Sequence, residues 1–305
     1  CAGGLRVQFT KEIKRTTVQG SLLTLKVEGL LGGHSGQDID KERQNADLLM
    51  ARMIQRLLKE TKGQLVSFNG GTKDNAIPRE CEASLIYESD EEAAKAEELA
   101  CELAETYAEE LTPAEPDFSC EISCETNRTA EAIPQDAAKE FICAMRLAPN
   151  GIQKRNIKMD GFVVVSLNLG VVRTEEDRIV MIFSPRSSVA SLQEDTKERL
   201  NTLAETFGFT VSHSSEYPGW SFKEDSPVRE ICKESYKELF GEDLKIEAIH
   251  AGLECGLFSD AIKGLDAIAI GPTIANCHTP DEYLTLDSFE RFYEFLKDIL
   301  SRLAK

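Results

Sequence analysis

Polar and apolar residues first sort the chain into strands and helices. Residues 5–15 (LRVQFTKEIKR) read as a strand, and 21–30 (SLLTLKVEGL) alternate with the two-residue period of a half-buried one. After the loop LLGGHSGQDID the period lengthens: Ile39, Ala46, Leu49, Met50, Ile54 and Leu57 form one helical stripe. The stripe predicts a helix capped by Asp38 or Asp40 and ending near Leu58. QLVSFNGG reads as a short strand, Pro78 in DNAIPRE bars a central-strand role, and CEASLIYE is a further strand. From Asp90 to about Glu110, alanine and leucine recur at helical spacing with acids on the opposite, solvated face. Pro113 and Pro116 break the chain before FSCEISCE, whose alternation sets Cys120 and Cys124 on one face in a structural role. DAAKEFICAMRL is a helix closing at the turn APNG. FVVVSLNLGVVRT and DRIVMIFSPRS form a hairpin around EED, placing Arg186 at a strand end after Pro185. SLQEDTKERLNTLAETFG is a helix stopped by Gly208, and FTVSHSSEY a strand.

Strand, helix, strand, strand, helix over 21–110 is followed by helix, strand, strand, helix, strand over 134–217. Sequence identity between these stretches is slight, and the order suits a duplication or ordinary α/β construction alike. A true duplication would let the region mimic a dimer within one chain. Pro218-Gly219 marks a boundary, dividing 1–218 from 219–305. Beyond it come a helix (SPVREICKESYKELFG), two candidate parallel strands (LKIEAIHAG and LDAIAIGP) and a last helix striped by Phe289, Phe292, Phe295, Leu296 and Ile299. Two such strands and two helices are too few for a self-sufficient α/β core. The opening CAGG reads as an interior joint, so the expectation is that the missing strands precede Cys1.

Composition narrows the classes. A chain of 305 residues suits two domains. The net charge of -18 offers no basic field to nucleic acid or to an anionic membrane surface. No apolar run is long enough for a spanning helix, and no signal peptide is visible. The nine cysteines are odd in number without dense spacing, which points to a reducing, cytoplasmic setting.

Of the four histidines, His213 lies in a serine-rich strand and reads as a surface group. His34 (GGHSG), His250 (IHAGLECG) and His278 (NCHTPDE) lie in loops. The last two follow successive predicted strands, so they are expected at one rim, where open α/β sheets bind ligands. Cys277, Thr279, Asp281 and Glu282 beside His278 favour a ligand or catalytic role there.

These loops carry a resemblance. GLLGGHSGQDID, FNGGTKDNAIPRE, YPGW, IHAGLECGLFSDAIKGLDAIAIGPTIANCHTPDEYL and the last helix are similar to the aminoacyl-histidine (carnosine-type) dipeptidases of the M20 metallopeptidase clan. The resemblance implies an α/β fold: the carboxyl-terminal portion of a split zinc-peptidase catalytic domain, with an inserted two-layer α+β lid. It implies hydrolysis of small dipeptides in the cytoplasm. His278 then resembles a zinc ligand, and His34 the lid histidine that helps hold the oxyanion. Asn75 matches a lid residue near the substrate, and Arg186 the group that takes its carboxylate. His250 and Glu254 are expected in the cleft wall. Two zinc ions, with cobalt or manganese as substitutes, and a homodimer through the lid belong to the same implication.

The remaining ligands and the glutamate general base find no match here. No HxD occurs, and Glu92, Glu97 and the Glu109-Glu110 pair lie on the acidic helix. The partner still required is an amino-terminal catalytic segment, without which this chain is expected to be inactive. Another M20 reaction, deacylation or exopeptidase cleavage, and a non-catalytic binding module remain as alternatives.

Overall fold

A computed structural model describes residues 1–157, 161–275 and 282–304. These residues divide into two compact units: Ala2–Gly219 with His250–Gly252, and Cys1 with Trp220–Ile249 and Leu253 onward.

The larger unit is one antiparallel sheet backed by helices. Its strands are β1 (Gly3–Glu12), β2 (Thr16–Glu28), β4 (Gln64–Gly70), β6 (Cys81–Tyr87), β7 (Ser119–Ala132), β8 (Gly151–Asn156), β9 (Phe162–Thr174), β10 (Arg178–Ser187) and β11 (Thr210–Tyr217). They lie in the order β11-β1-β10-β9-β4-β6-β2-β7, with β8 also on β9. Two dipeptide strands, β3 (Gly33–His34) and β5 (Ala76–Ile77), pair separately.

Alternate residues of each strand point to one face. Val7 and Phe9, Leu23 and Leu25, Ala83 and Leu85, Leu167 and Leu169, Met181 and Phe183 are all buried in one core. Helices α1 (Ala46–Glu60), α2 (Asp90–Leu111), α3 (Gln135–Leu147) and α4 (Ala190–Thr206) close that core with Met50, Ile54, Ala96, Tyr107, Phe141 and Leu200. The opposite face carries Arg6, Ser166, Asn168, Ser184 and Arg186.

The strand order reads the same from either end once β1 is matched with β2, β4 with β9, β6 with β10 and β7 with β11. Helices α1 and α2 occupy the places of α3 and α4. The halves meet at β4 and β9 through Gly70↔Val172. The second half takes its inner strand from the start of the chain, since β1 lies between β10 and β11.

Some sequence expectations need correction. The first helix starts at Ala46, not at Ile39, because Asn45 is its cap and accepts from the amides of Asp47 and Leu48. Asp38 precedes only a 3-10 turn, Ile39–Lys41, and Ile39 packs on Ile77 and Val163 instead. The turn APNG leads into β8, which pattern reading missed. Strand β10 continues through Pro185 to Ser187, so Arg186 lies within a ladder rather than beyond it. Proline is tolerated because the β1–β10 register passes from Gly4↔Arg186 to Val7↔Phe183, leaving Pro185 opposite a break where no amide is required.

The smaller unit holds α5 (Pro227–Phe240), α6 (Glu254–Ala261), α7 (Leu286–Leu303) and the short pair β12 (Ile274–Ala275) and β13 (Tyr283–Leu284). Ser226 caps α5, and Gly241 ends it in the left-handed conformation. Cys232, Phe295 and Ile299 form its small core. The two expected parallel strands, LKIEAIHAG and LDAIAIGP, form no ladder among the described residues. An apolar run becomes a strand only where a neighbouring strand takes its amides and carbonyls in succession, and among the described residues none does. No described helix is long and apolar enough to cross a membrane.

Candidate functional site

The open face of the large sheet is irregular at one place. The β1–β11 register shifts between Gly4 and Arg6. The β1–β10 ladder opens beside Pro185, and Ser215 on β11 has a left-handed φ of 53°. These three faults adjoin a cavity of ≈ 300 Å³ lined by Leu5, Arg6, Ser184, Arg186, Ser215 and Tyr217, with Lys73, Asp74 and Asn75 opposite.

Residues 71–77 reach this cavity because they are laid across β9. Asn168 donates to the carbonyls of Asp74 (3.2 Å) and Ala76 (2.8 Å). Arg173 donates to Gly70 at 2.6 Å and also to Gly71. Arg6 then binds Asp74 at 2.8 Å, and this bond is the main reason the Asp74 carboxyl titrates below its usual range. Asn75, in the same segment, is exposed.

His34 joins the same region through the β3–β5 pair, opposite Ala76, and the Ser35 amide donates to Asn75. The amides of Gly36 (3.1 Å) and Gln37 (3.0 Å) both donate to His34 Nδ1. An imidazole nitrogen that accepts carries no proton, so the neutral ring bears its hydrogen on Nε2. The His34 loop is anchored in turn. Buried Glu115 accepts from the amides of Leu31 (2.7 Å) and Gln44 (2.8 Å), and Asp38 accepts from the His34 amide. Gly36 is confined: a Cβ there would stand 2.4 Å from the His250 carbonyl and 3.1 Å from the His34 ring.

His250 is buried and shares a 2.7 Å hydrogen bond between Nε2 and Ser166 Oγ. Burial and, next, the charge of Arg186 push its pKa down to about 4, so the ring is neutral at neutral pH. Arg186 is 7% exposed. Its Nη1 donates to Tyr217 Oη at 2.8 Å, while its Nε is buried without a hydrogen-bond partner. A guanidinium so placed suits a planar oxyanion.

Four residues singled out from the sequence thus share one patch: His34, Asn75, Arg186 and His250. Glu254 belongs to the smaller unit, where it is exposed and opens α6 rather than lying in a loop. His278 lies outside the described residues. His213 is exposed and shares a hydrogen bond with Asn201. Ser166, Asp74 and Tyr217 escaped sequence reading, although Tyr217 opens the quoted YPGW block. Among the described residues no group of three or more His, Cys, Asp or Glu side chains converges as metal ligands do. These residues offer recognition and charge stabilisation.

The fold is the mixed α/β arrangement of a peptidase with catalytic and dimerisation domains. The chain belongs to peptidase family M20/M25/M40, whose sequence profile matches residues 71–302. A peptidase dimerisation domain matches residues 25–116. The chain is 32% identical over 309 residues to the cytosol non-specific dipeptidase of Escherichia coli (strain K12), a match covering 99% of this chain and 62% of that protein. The structure is similar to the aminoacylhistidine dipeptidase from Vibrio alginolyticus, with a TM-score of 0.90, 33% identity, and coverage of 99% of this chain and 62% of that one. The chain therefore spans 62% of the length of each of these relatives.

Proposed function

We propose that residues 1–218 form the substrate-recognising lid of a metal-dependent dipeptidase, and 219–305 part of its catalytic domain. The substrates are small dipeptides of the Xaa-His or β-Ala-His type. The observation that carries this reading is Arg186: a buried guanidinium on the open sheet face, its Nε unpartnered, lining a cavity with Asn75. A free carboxylate is what distinguishes a dipeptide from the interior of a longer chain, and a guanidinium fork matches it.

In this reading Arg186 takes the substrate carboxylate and Asn75 lies against the peptide. His34 donates from Nε2 to the developing oxyanion, its Nδ1 being occupied by two amides. Neutral His250 walls the site without adding a second positive charge beside Arg186. Glu254 is assigned to substrate and His278 to a divalent metal on the resemblance alone. The same resemblance assigns two zinc ions, replaceable by cobalt or manganese, with the further ligands and the base outside the described residues. A cytoplasmic location accords with the name of the E. coli relative. A homodimer accords with the dimerisation-domain match.

The test compares hydrolysis of a free dipeptide with that of its carboxyl-amidated form by the metal-loaded full-length enzyme. The native protein should prefer the free acid strongly. Arg186→Ala should erase most of that preference, a loss on the order of 2–5 kcal/mol, while leaving metal content unchanged. Full preference in Arg186→Ala would remove Arg186 as the anchor. Activity should also vanish on chelation and return with zinc; activity in the chelated protein would refute metal dependence.

A further inference from the structure

Arg186 stands in a row of directly opposed residues that crosses four strands. Tyr217 of β11 faces Gly4 of β1, Gly4 faces Arg186 of β10, and Arg186 faces Ser166 of β9. Directly opposed residues point to the same face of a sheet, so the four share the open one. Gly4 contributes no side chain, which leaves an empty lane between Tyr217 and Arg186. The Tyr217 side chain fills that lane: a Cβ on Gly4 would stand 2.7 Å from its hydroxyl and 2.9 Å from Cζ. A second glycine bounds the ring elsewhere, since a Cβ on Gly252 would stand 2.7 Å from Tyr217 Cε2. At the end of this lane Tyr217 Oη accepts from Arg186 Nη1 at 2.8 Å.

We infer that Tyr217 is a positioning residue that chooses which edge of the Arg186 guanidinium meets a ligand. The inference rests on the reading of Arg186 as carboxylate anchor. Of the donors on Arg186, Nη1 is engaged by Tyr217 and Nε is not engaged. Nη1 carries two hydrogens and Tyr217 takes one, so the bidentate edge that Tyr217 leaves untouched is the one bearing Nε and Nη2. Tyr217 touches the guanidinium, so it acts on recognition of the carboxylate rather than on the chemical step. The lane over Gly4 gives it a rigid seat, because neither glycine position leaves room for a methyl group without displacing the ring.

Four metal-loaded full-length proteins decide the matter: native, Arg186→Ala, Tyr217→Phe and Gly4→Ala, each assayed on a dipeptide and on its carboxyl-amidated form. Tyr217→Phe keeps the ring and removes only the hydroxyl. The expected result is a KM for the free acid raised about five- to tenfold with kcat within about twofold, and an unchanged KM for the amide. Gly4→Ala, which keeps the hydroxyl but crowds it, should move the free-acid KM in the same direction. If Arg186→Ala retains the free-acid preference, the anchor reading fails and this inference with it. If Arg186→Ala loses the preference while Tyr217→Phe keeps the native KM for both substrates, the anchor stands and Tyr217 is not its positioner. Equal loss on acid and amide in Tyr217→Phe, with a lowered Tm, would assign Tyr217 a merely structural role and overturn the inference.

Discussion

Asp47 is fully buried on α1, at the seam where β4 meets β9, with the Cys81 thiol as its polar neighbour. It lies against Gly70, where a Cβ would overlap its Oδ1. Burial raises its pKa to about 8, against the opposing influence of the Cys81 thiol and Arg173. The folded protein thus holds a proton on Asp47 from about pH 4 to about pH 8, where the unfolded chain has lost it. Stability from this group falls as pH rises through that window, with a limiting slope of ~1.4 kcal/mol per pH unit. His250 acts oppositely. Its pKa is depressed from 6.5 to about 4, so its contribution is present above pH 6.5 and is lost as pH falls towards 4. Between pH 4 and 6.5 the two slopes offset one another, and from 6.5 to 8 Asp47 acts alone. Denaturant titrations across pH 5–8 should therefore show a decline confined to the upper part of the range, and Asp47→Asn should remove it. An unchanged profile in Asp47→Asn would mean the carboxyl is already ionised in the fold.

At the scale of elements, helix α1 shows what pattern could and could not tell. Leu49, Met50, Ile54 and Leu57 were legible as its buried stripe, because helical periodicity is a property of the segment alone. The start was not legible. Asp38 and Asp40 are equally good caps by residue type, but Asn45 alone combines capping with a 2.8 Å bond from its Nδ2 to the Leu169 carbonyl on β9. That second bond is tertiary and leaves no local trace. Asn45→Ala should cost about 1 kcal/mol for the cap, plus ~1–3 kcal/mol for the stranded carbonyl. Chemical denaturation would read this, and a cost below about 0.5 kcal/mol would show that water replaces both bonds. The strands read into 244–252 and 265–272 failed for the complementary reason: their apolar residues were visible, but the absence of a ladder neighbour among the described residues was not. The site was legible as loops rich in glycine and histidine. Its shaping faults at Gly4, Pro185 and Ser215 depend on register and could not be read from the sequence. For the same reason Arg186 was identified near a strand end but its burial and its pairing on both sides were not.

Across the whole molecule, the two units differ in how well they cover their own apolar residues. Among the described residues, four exposed large hydrophobics fall before Trp220, and sixteen, including Phe222, Phe258, Leu286 and Phe289, fall after it. Hydrogen exchange should accordingly be slow through β2, β6, β9 and β10 and faster through 220–275 and 282–304. Equal protection in both regions would show that the smaller unit is as well supported as the larger. The dimerisation-domain match, residues 25–116, falls on the first half of a sheet whose second half repeats its strand order. The halves nevertheless differ in how the chain closes them. The first is contiguous from Thr16 to Ala132, whereas the second needs Gly3–Glu12 from the far end of the sequence. Strand β1 pairs with residues 178–187 and with 210–217, so its partners are separated from it by most of the unit's length. Closing so long a loop is entropically slow. During synthesis β1, made before the other strands of this sheet, must wait for β10 and β11 to emerge before it can pair. The first half can therefore assemble early, while Arg186, Tyr217 and Gly4 come together only when that waiting strand is finally threaded between its two neighbours.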